Sequence, residues 1–234
     1  MLLREYKFTD YYHQFVTIEV DELTDSLKDN IKVTNEDCYA LCSSYCGRDG
    51  LLEFNVLAIG PSWEKCTKGL RLNKMLGIFT MDQVFDCEAR IADPDMRMIE
   101  KNEDFINEMD EGWSEDLIQT RLDARLDDIR DIFYPDVVYT GIIKNNYIME
   151  YPMRITGIKG PFLVGLLDEE PDEKSGLHYD DPIYALPYLQ EDSCRLFALF
   201  VGEDLSDDEI QIRDKIIDEM NKHGISFNGI SIRS

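Results

Sequence analysis

The negative charge of this chain is concentrated in two segments. Residues 82–136 contain 18 acidic and 6 basic residues, and residues 165–209 contain 14 and 2. Each segment has a net charge of −12, so the two together account for the whole formal charge of −24. Like charges at this density oppose compaction. The segments therefore need an explanation, either in the fold or in the function of the protein.

The rest of the composition is that of a folded protein. The chain has 234 residues, of which 44% are apolar and 11% aromatic, enough for one large domain or two small ones. Its longest apolar runs, 162–167 and 196–202, are shorter than the ~20 residues of a membrane helix. The first ten residues are rich in charge and do not resemble an export signal. We expect a soluble, intracellular, cytoplasmic protein with no cofactor and no membrane partner.

Three of the six cysteines recur at a spacing of four, in a stretch whose start resembles a helix N-terminus. On a helix, Cys38 and Cys46 would lie ~12 Å apart along the axis, too far for one metal ion. We interpret the cysteines as buried, reduced thiols that act as small apolar side chains.

The C-terminal part predicts a strand–helix–strand unit. Residues 195–202 form a continuous apolar run of strand length. Ser206 and Glu209 then have the spacing of a capping box, and apolar residues follow at helical intervals. Residues 225–233 alternate between apolar and polar, as a half-buried strand does.

Helices are also predicted at 96–109 and 113–133, and strands at 137–143, 147–158 and 162–167. Residues 168–182 predict an exposed loop. The first 80 residues are ambiguous, although 51–59 resembles a strand. The prediction is an α+β fold with a helix-rich N-terminal half, residues 1–135, and a sheet-forming part, residues 136–234. The sheet would be mixed or antiparallel, and the two parts either separate domains or one.

The predicted helix at 113–133 carries Asp123, Asp127 and Asp131 at successive i, i+4 positions. Like charges at this spacing repel each other by a few tenths of a kcal/mol per pair. The carboxylates would be ~6 Å apart, close to the spacing of phosphates along a nucleic-acid strand. This pattern predicts a surface that attracts a positively charged partner. The candidate partner-binding residues are Asp116, Asp123, Asp127, Asp131, Asp168, Glu169 and Glu170.

The function predicted from these features is that of an acidic, non-catalytic binding or inhibitor protein. Its partner would be a basic protein, and in the sharper form a nucleic-acid-binding protein whose groove the acidic surface occupies. Direct binding of nucleic acid is disfavoured by the net charge, even at the basic residues Lys65, Lys68, Arg71 and Lys74, which are expected on a helix. A homo-oligomer is compatible with the sequence.

Two alternatives remain open. The first is a hydrolase that uses clustered carboxylates and a divalent metal ion, with His178, Asp180 and Asp181 as the candidate ligands. No catalytic, nucleotide or metal motif is present at its full spacing, however. The second alternative is a solvated acidic surface that only maintains solubility.

Overall fold

The computed structural model describes residues 1–20, 38–68, 72–144, 147–171, 176–190, 193–202 and 205–223. The chain divides into two compact units. The first unit comprises Met1–Trp113 and Ile132–Pro135, and the second comprises Ser114–Asp131 and Asp136–Ser234. Within the described part of the chain, no helix is both long enough and apolar enough to cross a membrane.

The first unit is built on an antiparallel sheet whose strands follow the order β4-β3-β2-β1-β5. The strands are β1 (Phe15–Glu19), β2 (Tyr39–Cys46), β3 (Leu52–Gly60), β4 (Leu72–Thr80) and β5 (Ala89–Ala92). Its helices are short: a 3-10 helix (Leu3–Glu5), α1 (Phe8–Tyr11), α2 (Trp63–Thr67), α3 (Met81–Val84), α4 (Met96–Lys101) and α5 (Glu103–Glu108).

The main core of the first unit lies on one face of this sheet. Buried side chains from β1, β2, β3 and β4 pack there against the first 3-10 helix, α1 and α3. Cys42 and Cys46 belong to this core, and burial raises the pKa of the Cys42 thiol. A smaller cluster of Leu41, Leu57, Ala58 and Cys66 covers part of the opposite face. The sheet is therefore packed on both sides, which is consistent with its largely apolar strands.

The second unit is a closed barrel of five strands, with β10 completing the circle beside β6. The strands are β6 (Val137–Lys144), β7 (Tyr147–Lys159), β8 (Phe162–Leu167), β9 (Pro182–Gln190) and β10 (Ser193–Val201). All neighbours pair antiparallel except β10 and β6, which pair parallel. Helix α6 (Glu115–Arg121) and a 3-10 helix (Ala124–Ile129) precede the barrel, and α7 (Asp207–Lys222) follows it.

Alternation along the strands fills the barrel interior. On β10, Leu196, Ala198 and Phe200 are buried, whereas Arg195 and Leu199 are exposed. Strands β7 and β8 approach closely at Gly165, where a Cβ would lie 2.5 Å from the carbonyl oxygen of Arg154. Only glycine fits this position without a shift of the backbone.

The predicted fold, with its helix-rich N-terminal half, is wrong. The chain is mostly β and forms two sheets, one of which is the closed barrel. The cysteine stretch that was expected to be helical is strand β2. A spacing of four residues returns to the same face of a strand as well as of a helix, so the pattern could not separate the two. The predicted helix at 96–109 is divided into α4 and α5 by Asn102.

The continuous helix predicted at 113–133 is also wrong. Ser114 caps its start as expected, since the Ser114 Oγ accepts a hydrogen bond from the Leu117 N–H at 3.2 Å. Helix α6 ends at Arg121, however, and Asp123 then caps the separate 3-10 helix. Leu122, which was expected in the core, is exposed at the break. The Arg130 guanidinium donates a hydrogen bond to the Thr120 carbonyl, which competes with continuation of the helix.

Other predicted elements have different outcomes. The strands predicted at 137–143, 147–158 and 162–167 are present as β6, β7 and β8, and the helix after Ser206 is α7. The predicted basic helix is only partly helical: Lys65 lies in α2, Lys74 lies in β4, and Arg71 is outside the described residues. The strand predicted at 225–233 also lies outside them.

Candidate binding surfaces

The carboxylates of Asp123 and Asp127, two of the three residues of the predicted acidic stripe, interact with arginines of the second unit. The Asp123 carboxylate accepts a hydrogen bond from the Arg125 N–H at 3.1 Å and pairs with the Arg125 guanidinium. The Asp127 side chain is 0% exposed and lies 3.7 Å from the 2% exposed Arg130 side chain. These two carboxylates stabilise the local structure and are poorly placed to meet a partner.

The remaining stripe residue, Asp131, is half-buried, and its N–H donates to the Val137 carbonyl at 2.8 Å. It follows the 3-10 helix rather than lying within it. The expected row of carboxylates on one helix face is therefore not formed.

A buried ion pair fixes the end of α6 to the barrel. The Arg121 guanidinium donates two hydrogen bonds to the Asp136 carboxylate, at 2.9 and 2.6 Å. Arg121 is 0% exposed, and Asp136 stands at the start of β6, where its carbonyl accepts the Ile155 N–H. A charge pair this deeply buried must stay intact, because either member alone would be an uncompensated buried charge.

The acidic loop after β8 is also held by internal bonds. The Arg154 guanidinium binds Asp168 at 2.9 Å and Asp180 at 2.8 Å. Glu170 accepts the Tyr179 N–H at 2.8 Å and lies 3.2 Å from His178 Nδ1. These bonds, first that of the Tyr179 N–H, lower the pKa of Glu170.

The candidate metal ligands lie in the same loop. The Asp181 carboxylate accepts the His178 N–H at 2.8 Å, and Asp180 is already paired with Arg154. Among the residues that the structure describes, no group of three or more His, Cys, Asp or Glu side chains is placed to hold a metal ion. The hydrolase alternative gains no support from this geometry.

Three of the predicted partner-binding residues are exposed; Glu170 is one of them and is held by Tyr179 and His178, and the other two form no ion pair with a described residue. Asp116 lies in the first turn of α6, where the helix dipole favours a carboxylate. Glu169 is exposed beside the internally bonded Asp168 and Glu170. Both side chains are accessible to a partner.

A larger set of accessible carboxylates lies on α4, α5 and the turn that follows. We call this set the α4–α5 acidic surface; its residues are Glu100, Glu103, Asp104, Glu108 and Glu111, all exposed. Within the described part of the chain, none of their carboxylates forms an ion pair or a side-chain hydrogen bond.

The sequence contains a signal for this surface that the stripe lacks. Residues 100–111 contain six acidic residues and one lysine, whereas 121–131 contain four acidic residues and three arginines.

The turn after α5 is anchored to the first unit through Asp110. Its carboxylate accepts a hydrogen bond from the Tyr12 hydroxyl at 3.2 Å and lies 3.1 Å from His13 Nε2. The rings of Tyr12 and His13 are stacked with their centroids 3.9 Å apart. His13 has a left-handed backbone (φ 56°), which is uncommon for a residue other than glycine. This anchor holds the end of the acidic surface in a fixed place on the unit.

The barrel has a groove on its outer wall, formed by β6, β7, β10 and the preceding 3-10 helix. We call it the barrel groove; its volume is about 370 Å³, and its walls include Tyr139, Ile148, Phe197, Asp128, Glu150 and Arg195. Gly141 forms part of the floor, and Cys194 is buried beside it. Burial raises the pKa of the Cys194 thiol to about 11, so this side chain is uncharged at neutral pH. The groove was not foreseen from the sequence.

Comparison with known proteins gives no family assignment. No protein-family model, no curated protein and no solved structure matches this chain.

Proposed function

We propose that this chain is an acidic, non-catalytic binding protein that engages a positively charged partner protein through the α4–α5 acidic surface. The observation that carries the proposal is the set of five exposed carboxylates that form no ion pair with any side chain the structure describes. Carboxylates that stabilise the fold are normally paired or act as helix caps, as Asp123 is. These five do neither among the described residues; Glu103 and Asp104 lie in the first turn of α5, where the helix dipole favours a carboxylate, but all five side chains are exposed and available to a partner.

The physical basis of such binding is long-range attraction. A cluster of solvated charges of one sign steers an oppositely charged protein and increases its association rate. Exposed charges are screened over about 8–10 Å at physiological salt, so binding of this kind weakens as salt rises. In the sharper form of the proposal, the partner is a nucleic-acid-binding protein, whose basic groove already complements a row of negative charges.

Of the residues predicted from the sequence, Asp116, Glu169 and Glu170 remain separate candidates within the second unit because their side chains are exposed. Asp123 and Asp127 are not included, since their side chains are held by Arg125 and Arg130.

The test is capture of partners from a cell lysate by the immobilised chain. The test variant is Glu103→Gln, Asp104→Asn, Glu108→Gln. The control variant Glu88→Gln, Asp93→Asn, Asp218→Asn removes the same charge from other exposed positions. The wild type and the control should capture basic proteins at about 50 mM salt and lose them at about 500 mM. The test variant should capture them much less at low salt.

Equal capture by the two variants would mean that net charge alone attracts the partner, which would overturn the role of this surface. Capture that does not change with salt would overturn the electrostatic basis of the proposal.

A further inference from the structure

We infer that residues 103–112, which we call the α5 segment, form a lid over a buried polar pair, Ser43 and Asn55, on the sheet of the first unit. The lid opens locally while the sheet stays folded. The segment carries four of the five carboxylates of the α4–α5 acidic surface, so the lid also decides how rigidly that surface is presented. This last consequence rests on the proposed function, whereas the opening itself does not.

Ser43 on β2 and Asn55 on β3 lie directly opposite each other in the sheet. Their neighbours along the strands, Cys42, Phe54 and Val56, belong to the main core, so the alternation of a strand places Ser43 and Asn55 on the other face. Side chains directly opposite each other have Cβ atoms about 4.5–5.5 Å apart. The two polar groups therefore form one site.

Both side chains of this polar pair are buried without a strong hydrogen bond. Ser43 is 2% exposed and Asn55 is 1% exposed. The side-chain carbonyl oxygen of Asn55 has no hydrogen-bond partner among the described residues. The Ser43 hydroxyl donates to the Met109 sulfur at 3.5 Å, a weak acceptor. A buried polar group that lacks a good partner has lost its hydration without compensation, so a cover over this pair is less stable than a cover over apolar side chains.

The cover at Ser43 is the turn after α5. Met109 contacts Ser43, and the next residue, Asp110, forms polar contacts with Tyr12 and His13. The side chains of Asp110 and His13 are 29% and 26% exposed, so water competes for these contacts. The turn is thus held by polar contacts that water can replace.

The α5 segment also has the boundaries and the charge of a movable element. Asn102 separates α4 from α5, and Gly112 has a left-handed backbone (φ 94°) with no described atom within 4 Å of the position of a Cβ. Positions at the ends of elements absorb the backbone rotation of a hinge. The segment contains five acidic residues and no basic one, and the chain's net charge of −24 repels it.

Closure of the lid fixes the acidic surface in one arrangement. A partner that contacts Glu103, Asp104 and Glu108 together binds the closed state more tightly than the open one, because ordering a mobile segment costs conformational entropy. Binding and closure therefore favour each other. Residues that touch no partner, such as Asn55, then influence the affinity.

The test is hydrogen–deuterium exchange of the whole chain, followed at the backbone amides of 103–112 and of β2. In the wild type, the amides of 103–112 should exchange at least about tenfold faster than those of β2, at a rate that low urea does not change, as local opening requires. Asn55→Leu replaces the carboxamide with an apolar side chain of similar size and should slow exchange of 103–112 about fivefold. If α5 only unwinds in place, this variant changes nothing and the inference is overturned.

Thr17→Val is the matched control for Asn55→Leu. It removes another buried hydroxyl that has no partner among the described residues. Thr17 lies opposite Leu41, in the part of the face that packs against Cys66 of α2. This variant should leave exchange of 103–112 unchanged, and equal slowing by both variants would overturn the lid.

The contacts of Asp110 give a test in the opposite direction, which does not depend on the folding of Asn55→Leu. Tyr12→Phe removes the hydrogen bond to Asp110 and should speed exchange of 103–112 about threefold. The control Tyr6→Phe removes a hydrogen bond of similar length, 3.1 Å to the Ala89 carbonyl, in the same unit and should not change this exchange. Equal acceleration by the two variants would show a general loss of stability and would overturn the inference.

Lysate capture separates the lid from the proposed function. With the lid correct, Tyr12→Phe should capture less basic protein than Tyr6→Phe at about 50 mM salt. If the exchange results hold while the Glu103→Gln, Asp104→Asn, Glu108→Gln variant captures as much as its control, the proposed function fails and the lid stands. If capture depends on these carboxylates but exchange of 103–112 responds to neither Asn55→Leu nor Tyr12→Phe, the lid fails and the proposed function stands.

Discussion

Two acidic stretches of this chain, residues 121–131 and the α4–α5 acidic surface, use their carboxylates differently. In 121–131, Asp123 and Asp127 pair with Arg125 and Arg130 and are nearly buried. The carboxylates of the α4–α5 acidic surface are exposed and form no ion pair with a described residue. The difference teaches that the number of acidic residues does not locate a binding surface. Whether the carboxylates form ion pairs with described residues of the fold is the more informative property.

The largest loss of stability is expected at the buried ion pair between Arg121, the first residue of 121–131, and Asp136. Arg121→Met leaves the Asp136 carboxylate buried without its partner, which should lower the free energy of unfolding by about 3–5 kcal/mol. Urea unfolding followed by circular dichroism measures this loss. The double variant Arg121→Met, Asp136→Leu should recover most of it, because no buried charge remains. A single variant as stable as the wild type would contradict the structural role of this stretch.

A smaller loss of stability is expected at the N-terminus of the 3-10 helix Ala124–Ile129. Asp123→Ala removes both the cap to the Arg125 N–H and the ion pair with the Arg125 guanidinium. The free energy of unfolding should fall by about 1 kcal/mol. Glu169→Gln, a change at an exposed glutamate of the same unit, serves as the control in the same urea experiment and should leave stability unchanged.

Glu209 on α7 tests whether a carboxylate that accepts hydrogen bonds at a helix N-terminus contributes to stability. The Ser206 hydroxyl and N–H donate to the Glu209 carboxylate and lower its pKa below the ordinary 4.5. Because the pKa is lower in the folded state, this stabilisation is present above pH 4.5 and is lost as the pH falls through the folded pKa. Glu209→Ala should therefore lower the urea midpoint slightly at pH 7, and the difference should shrink in acid. A difference that does not depend on pH would contradict this.

The smallest effect on stability is expected at the α4–α5 acidic surface. The variant Glu103→Gln, Asp104→Asn, Glu108→Gln removes no described pair and relieves some repulsion. Its free energy of unfolding should equal that of the wild type within the error of the urea experiment. A marked loss of stability would show that these carboxylates are structural, and the contrast with 121–131 would disappear.

Local patterns predicted some elements well and others badly, for physical reasons. Strand β8 and helix α7 were predicted within a residue or two, because the apolar run of one and the capping box of the other act locally. Strand β2 and the break at Asp123 were missed. A spacing of four fits both helix and strand, and the break depends on Arg130, which reaches back to Thr120.

Local sequence patterns also predicted only part of the candidate sites. The exposure of Glu169 and of the α4–α5 acidic surface agrees with the excess of acidic over basic residues in these segments, which the sequence contains. The barrel groove combines Tyr139, Ile148 and Phe197 from three strands. These residues become neighbours only because β10 pairs with β6, a long-range contact that local periodicity does not report.

The parallel pairing of β10 with β6 also sets when the groove can exist during synthesis. Strands β6, β7, β8 and β9 can pair in the order in which they leave the ribosome, but β6 keeps an open edge until residues 196–198 emerge and join 140–142. The nascent chain therefore has no groove until nearly the whole barrel is translated.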